Sequence, residues 1–472
     1  MATLDIGTHA TGKPQRSGPA YPFHHAAECV ADYTVTLPLE CSELTFNLAT
    51  GHYLLARPSD REVARARVEA GKADRSPQGD FALLKARADG LREEESYPTS
   101  LVILPTYGCN LGCSYCYEGK LTKQQYYWSS QEIDTFMTAF DAFIAAERID
   151  PGVSAVTLLG GEVVREEAAD RCRSLVGRLS AHGFKDIQII SNGLELAPLA
   201  ASLVDSGATS FMITIDGTEA VHDKRRPARD RSLSSYRNAV EAVAAVLDAG
   251  AKAVVRINAD GRNVDNLPDL ARELENRGLF GHPLFRAYIH PVSSDFKSSR
   301  TFMTEVDLCR AVAGHARREP LMTRFEWDFH GLDLLYRIAR GAPLVPRVSY
   351  CGATDRQYVF DAKGGVFSCW FGTGKEDFQL GRHSGGEGIV VDREKLAQWQ
   401  SRSALTHPVC RTCRWATVCG GGCSFKSHFK TDDFRNGNCA DFESILSICA
   451  PFILKEGLCD PAGRSEESRD IS

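Results

Sequence analysis

Three cysteines fall within eight positions of the stretch YGCNLGCSYCYEG, Tyr107–Gly119, and no fourth lies near them. The spacing Cys109-x3-Cys113-x2-Cys116 limits what this loop can be. A structural zinc site is normally closed by four ligands, and a four-iron cluster that only transfers electrons also takes four thiolates. Three thiolates on such a cluster leave one iron open to another molecule. Gly108 and Gly112 allow a tight loop around a bulky inorganic group, and Tyr115 sets a flat face beside Cys116. Zinc remains the alternative reading of the triplet taken by itself.

The chain holds sixteen cysteines in 472 residues. Seven of them gather between Cys351 and Cys439, whereas Cys29, Cys41, Cys172, Cys309, Cys449 and Cys459 are scattered. A net charge of −6, with no basic run interleaved with aromatics, argues against a nucleic-acid partner. The N-terminal MATLDIGTHATGKPQRSG lacks an apolar signal core, and no apolar run approaches the roughly 20 residues of a membrane span. The expectation is a soluble, cytoplasmic protein with no membrane partner. In a reducing compartment clustered cysteines ligate metals or do chemistry rather than form disulfides.

From Thr99 to about Val292, β-like runs (TSLVILP, VSAVTLLG, DIQIISNG, SFMITIDG, AKAVVRIN, PLFRAYIHPV) alternate with helical spacing over Ser130–Glu147, Glu166–His182, Pro198–Ser206, Leu233–Ala249 and Val264–Arg277. A further helix is expected near Glu305–Arg317. This alternation predicts an α/β fold with a parallel sheet and crossover helices, either an open doubly wound sheet or a partial barrel. In both, functional residues collect where strands end. The cysteine triplet follows the first strand, GGE (Gly160–Glu162) the second and SNG (Ser191–Gly193) the third, while Asp216 and Gly217 end the fourth. GGE reads as a capped turn or as a ligand-contacting one, in which Glu162 accepts hydrogen bonds from an ammonium. Asn192 and Thr214 are able to bond hydroxyls or a carboxylate.

With its aromatic residue before the last cysteine, the triplet resembles the signature of the radical S-adenosylmethionine (SAM) superfamily. The resemblance implies a partial (β/α)6 TIM-like barrel over residues 99–317. It further implies that Cys109, Cys113 and Cys116 ligate a [4Fe–4S] cluster whose open iron binds SAM. Gly160, Gly161 and Glu162 would hold the methionyl amine, although the family's usual proline after the glutamate is Val163 here. Tyr115, Asn192, Thr214 and Arg226 match other cofactor-contacting positions.

The second array reads Cys351-x12-Gly364-x4-Cys369, then Cys410-x2-Cys413-x5-Cys419-x3-Cys423, then x15 and Cys439. It looks like the SPASM domain, which carries two auxiliary [4Fe–4S] clusters. By that resemblance Cys410, Cys413, Cys419 and Cys439 fully ligate the distal cluster, and Cys351, Cys369 and Cys423 supply three ligands to the nearer one. Its fourth site is either open or filled by a residue outside the motif, for which Cys309 and Cys449 are candidates. A zinc-stabilised, non-catalytic binding domain is the alternative reading of the array.

The implied organisation is a disordered N-terminus at 1–22 and a small α+β module at 23–98. The barrel follows at 99–317, then a helical bridge at 318–350, an Fe–S SPASM domain at 351–459 and a flexible tail at 460–472. Within the module, strands are expected at Tyr33–Leu37, Leu44–Leu48 and His52–Ala56, and helices at Asp60–Gly71 and Gly79–Glu95. It suits either leader-peptide capture by strand addition or a structural cap. The implied activity is radical oxidation of a precursor peptide or protein, installing a thioether or carbon–carbon crosslink, with flavodoxin or ferredoxin as reductant. Sulfatase-type side-chain oxidation is the alternative, but those enzymes carry an aspartate where Trp370 stands here. The sequence identifies no catalytic base; Arg256, Arg286 and His290 lie on predicted barrel strands.

Overall fold

The computed structural model describes residues 33–454 apart from 40–41, 71–80, 87–89, 91–97, 293–302 and 385–387. The expected loose ends at 1–22 and 460–472, together with Cys29, Cys41 and Cys459, lie outside the described residues.

An antiparallel meander opens the described chain: β1 (Thr34–Pro38), β2 (Glu43–Asn47) and β3 (His52–Ala56). Asn47 tightens the turn between β2 and β3, its Oδ1 accepting from the amides of Ala49 at 2.7 Å and Thr50 at 3.1 Å. The helix Arg61–Val68 follows and packs Ala64 and Val68 against Leu54. Of the second expected helix, residues 81–86 are described and helical. The meander rests on the cysteine-rich region: Phe46 lies 6.3 Å from Trp415, and the Tyr33 hydroxyl donates to the Arg411 carbonyl at 3.1 Å.

Next come the six parallel strands of an α/β partial barrel, β4 (Ser100–Ile103), β5 (Ala155–Leu158), β6 (Asp186–Ser191), β7 (Ser210–Thr214), β8 (Lys252–Ala259) and β9 (Phe285–Pro291). Each pairs with the next in parallel, and helices fill the crossovers. Strand alternation sorts side chains to two faces. Val156, Ile189, Ile213, Val255, Ile257 and Ile289 are fully buried on one. The other carries Met212, Arg256, Asn258 and Tyr288, where the Tyr288 hydroxyl meets Met212 Sδ at 3.3 Å across the barrel interior.

The sheet does not stop at six strands. At one edge β10 (Glu326–Trp327) pairs in parallel with β9. At the other, β11 (Gln357–Phe360) pairs in parallel with β4 and leads into antiparallel β12 (Gly365–Phe367), β13 (Gln379–Ser384) and β14 (Gly388–Val391). Residues 318–350 are therefore not a plain helical bridge: they hold β10 and the helix Leu332–Ala339. Nor is the described part of the cysteine-rich region separate from the barrel, since its first strand, β11, extends the barrel's sheet. The helix Ser130–Glu147 makes the join. Ser129 and Glu132 close a reciprocal capping box at its start, and Phe136, Phe140 and Phe143 put their rings 5.5, 5.7 and 5.6 Å from that of Phe360.

Candidate cofactor site

The cysteine loop leaves the end of β4 and is tied down before it reaches Cys109. Thr106 Oγ1 donates to the Tyr126 carbonyl at 2.6 Å and accepts the Gly108 amide at 2.9 Å. The GGE turn is pressed onto the same backbone, with Gly161 N–H donating to Thr106 O at 3.2 Å and Glu162 N–H to Gly108 O at 2.8 Å. A β-carbon on Gly160 would fall 2.2 Å from Thr106 O, and one on Gly161 would fall 2.1 Å from Tyr107 O. These glycines seat one strand-end turn against the next. Beyond Cys109, Gly112 N–H donates to Pro227 O at 2.8 Å and Arg229 Nε to Cys109 O at 2.7 Å.

Glu162 is buried and works within the protein. Its Oε1 accepts from the Val164 amide at 2.9 Å and the Ser191 hydroxyl at 2.8 Å, and its Oε2 from the Asn192 amide at 2.6 Å. It thus straps the end of β5 to the end of β6. Burial pushes its carboxyl up to about 7 against the opposing pull of those donors. One lone pair of Oε2 stays open to a further donor. Asn192, also buried, donates to Asn110 Oδ1 at 2.7 Å and approaches Cys109 Sγ at 3.7 Å.

Tyr115 sits in a polar knot rather than on an open face. Its hydroxyl donates to Asp216 and accepts from Arg226 Nη1 at 2.6 Å and Asn258 Nδ2 at 3.2 Å. The Arg225 guanidinium lies 5.3 Å from its ring centroid. Arg225 also pairs with Asp260 at 2.8 Å in a buried bridge. Thr214 ends β7, buried and in register with Arg256. Arg226 is buried too, with an Nε that finds no partner among the described residues. It lies near enough to Cys113 that its charge opposes the upward push of burial on that thiol.

Arg256 and His290 share the inner face with this knot. Arg256 donates to Asn258 Oδ1 at 3.0 Å, and His290 Nδ1 meets Asp328 Oδ2 at 2.7 Å. Arg286 has the same strand parity but lies at the far end of β9, exposed and paired with Glu326.

All thirteen described cysteines are free thiols. Their electrostatic neighbours sort the ten motif cysteines into three sets. Burial pushes Cys109 up to about 12 and Cys116 to about 11, and Cys113 is among the charges that add to both. Burial raises Cys351 to about 11 with help from Cys423, and it raises Cys369 with help from Cys351 and Cys423. Burial likewise takes Cys410 to about 11 and Cys419 to about 12, with Cys439 and Cys413 adding to each. Cys309 and Cys449 join none of these sets. They neighbour each other in the core, where the helices Glu305–Arg318 and Phe442–Ile453 pack together.

Such donor sets fit cationic inorganic groups: buried, mutually repelling thiols keep their protons until a metal neutralises them. Among the described residues no three His, Cys, Asp or Glu side chains are gathered as around a single metal ion, and no helix is long and apolar enough to cross a membrane.

Two features of this site gave no sequence signal. The Arg225–Asp260 bridge rests on an arginine next to the expected Arg226. Asn258 looks like any polar strand residue.

Residues 103–274 match the radical SAM superfamily. Over 195 residues the chain is 26% identical to the sporulation killing factor maturation protein SkfB of Bacillus subtilis (strain 168), covering 41% of this chain and 43% of that one. Over 296 residues it is 27% identical to a GTP 3',8-cyclase of Xanthomonas axonopodis pv. citri (strain 306), covering 57% and 79%. The chain spans about half the length of the first curated relatives it matches. In fold it is similar to native anSMEcpe with bound AdoMet, at TM-score 0.57 and 16% identity over 76% of this chain and 98% of that one. It is also similar to Streptococcus suis SuiB bound to precursor peptide SuiA, at TM-score 0.51 and 12% identity over 87% and 99%.

Proposed function

We propose that this chain, whose residues 103–274 are a radical SAM domain, is a peptide-modifying radical enzyme with two auxiliary clusters in a SPASM-like region. The observation that carries this reading is the sorting of ten cysteines into neighbouring sets of three, three and four. Cys109, Cys113 and Cys116 would hold the first [4Fe–4S] cluster. Cys351, Cys369 and Cys423 would hold the nearer auxiliary cluster, and Cys410, Cys413, Cys419 and Cys439 the distal one. When bound, SAM and the first cluster supply a carbon radical able to take a hydrogen atom from an unactivated peptide position.

The chain's own groups have defined tasks in this reading. Arg226, whose buried Nε has no partner among the described residues, would meet the carboxylate or ribose of SAM, and the open lone pair of Glu162 Oε2 would take its amine. Tyr115 is held by Asp216, Arg226 and Asn258, so the loop between Cys113 and Cys116 keeps one shape. The substrate class is a precursor peptide, and the product is a thioether or carbon–carbon crosslink. SuiB, similar in fold, is described as bound to a precursor peptide, and SkfB is named as a maturation protein. Leader-peptide capture is assigned to the edge of the meander at β3, and a flavodoxin or ferredoxin supplies the electron.

Protein purified without oxygen tests this reading through iron, acid-labile sulfide and zinc per chain. About twelve irons are expected, as three four-iron clusters require. Deoxyadenosine formation with a reductant is expected to vanish in Cys113→Ala. Stoichiometric zinc with little iron after reconstitution would overturn the proposal.

A further inference from the structure

The array's two cysteine sets meet at one short loop. Cys419 belongs to the set of four and Cys423 lies beside Cys351 and Cys369, and only Gly420, Gly421 and Gly422 separate them. All three glycines are left-handed, at φ +67°, +86° and +74°, a run closed to residues with a β-carbon. The loop is also wedged. A β-carbon on Gly420 would fall 2.6 Å from the Ser349 carbonyl, two residues before Cys351, and one on Gly422 would fall 2.0 Å from the carbonyl oxygen of Asn438, next to Cys439.

One buried cation holds this loop. Arg402 is 5% exposed and donates Nη1 to Gly422 O, and Nη2 to both Gly421 O and Asn436 O, each at 2.8 Å. With Cys410, Gly421 and Gly437 it lines a small cleft. Cys410 Sγ in turn lies 3.7 Å from where a β-carbon of Gly437 would stand. Burial lowers the guanidinium pKa, and the charges acting in the other direction are those of Cys410, Cys423, Cys419 and Cys351, drawn from both sets. Its Nε–H is buried with no partner among the described residues, a costly arrangement unless something else accepts it.

We propose that Arg402 is a positioning residue shared by the two auxiliary cluster sites. Its Nη atoms lock the triple-glycine loop, and its Nε–H donates to a sulfur of the group bound beside Cys410. This inference rests on the cluster reading above. A cation and an N–H···S hydrogen bond both favour the more negative, reduced state of a cluster, and so raise its reduction potential.

The test uses the full chain in a Cys109→Ala, Cys113→Ala, Cys116→Ala background, reconstituted anaerobically, so that only auxiliary signals remain. Iron per chain and the midpoint potentials, by redox titration followed with electron paramagnetic resonance, are compared for Arg402, Arg402→Lys and Arg402→Met. The expected result is a lower midpoint in Arg402→Met, or loss of about half or more of the auxiliary iron. Arg402→Lys, which keeps the charge but loses the fork of donors, should show a smaller shift in the same direction. If Arg402→Met fails to fold, Arg402→Lys decides by itself: unmoved midpoints at full iron would overturn the inference. A parent protein that binds zinc in place of auxiliary iron would overturn the cluster reading and this inference together. Full iron with unchanged midpoints in both variants would overturn the inference alone.

Discussion

At the scale of single residues, the tightest constraints are steric and titrational. Gly161 has no room for a methyl group, because Tyr107 O and Gly108 O stand 2.1 and 2.2 Å from where it would lie. Gly161→Ala should destabilise the apoprotein by about 3 kcal/mol, the upper end for an overpacked site, as read from chemical denaturation. His290 makes a pH-dependent contribution of its own. Burial, reinforced by the Arg256 charge, pulls its pKa down from 6.5 to about 4, although Asp328 pulls the other way. The native state therefore binds fewer protons there than the unfolded chain does between those values. The resulting stability is present above pH 6.5 and is lost as pH falls through 4. In denaturation curves at a series of pH values, the gap between wild type and His290→Gln should narrow over this window. A gap constant from pH 7 to 4 would refute it. The sequence made Gly161 visible through its motif and His290 only as one of three strand residues. The partners that define both, Tyr107 O and Asp328, come from segments that no local pattern connects.

Among elements, the join between barrel and cysteine region depends on β11. Phe360 takes three phenylalanine rings from the helix Ser130–Glu147, while its strand pairs with β4. Phe360→Ala should cost about 3–5 kcal/mol. Hydrogen exchange should show β4 and β11 losing protection together; loss confined to β11 would show that the join carries no coupling. The six barrel strands and their helices were legible because apolar β-branched runs alternated with helical spacing over nearly two hundred residues. The helix Ser130–Glu147 was readable to both ends from its apolar spacing, and the structure adds the Ser129 cap at its start. β10 to β14 were not legible. β10 has two residues and β12 three, and every residue of β11 is buried, so no two-residue alternation betrays it.

For the whole molecule, the three cysteine sets predict three separable metal loads. Cys369→Ala should remove about four of some twelve irons and leave deoxyadenosine formation in place, while Cys419→Ala should remove a different four. Identical residual spectra for the two variants would show that the sets are not independent. The motifs are what proposed this partition. They were silent on the seating of the N-terminal meander against Trp415 and on the sheet that runs unbroken from barrel to cysteine region. The pairing of β4 with β11 also sets an order of events at the ribosome. One edge of β4 waits for a strand made more than 250 residues later. At ordinary rates of synthesis that wait lasts on the order of tens of seconds. Throughout it the nascent barrel presents a bare strand edge next to the loop of Cys109, Cys113 and Cys116, a state in which sticking to another chain competes with completing its own sheet.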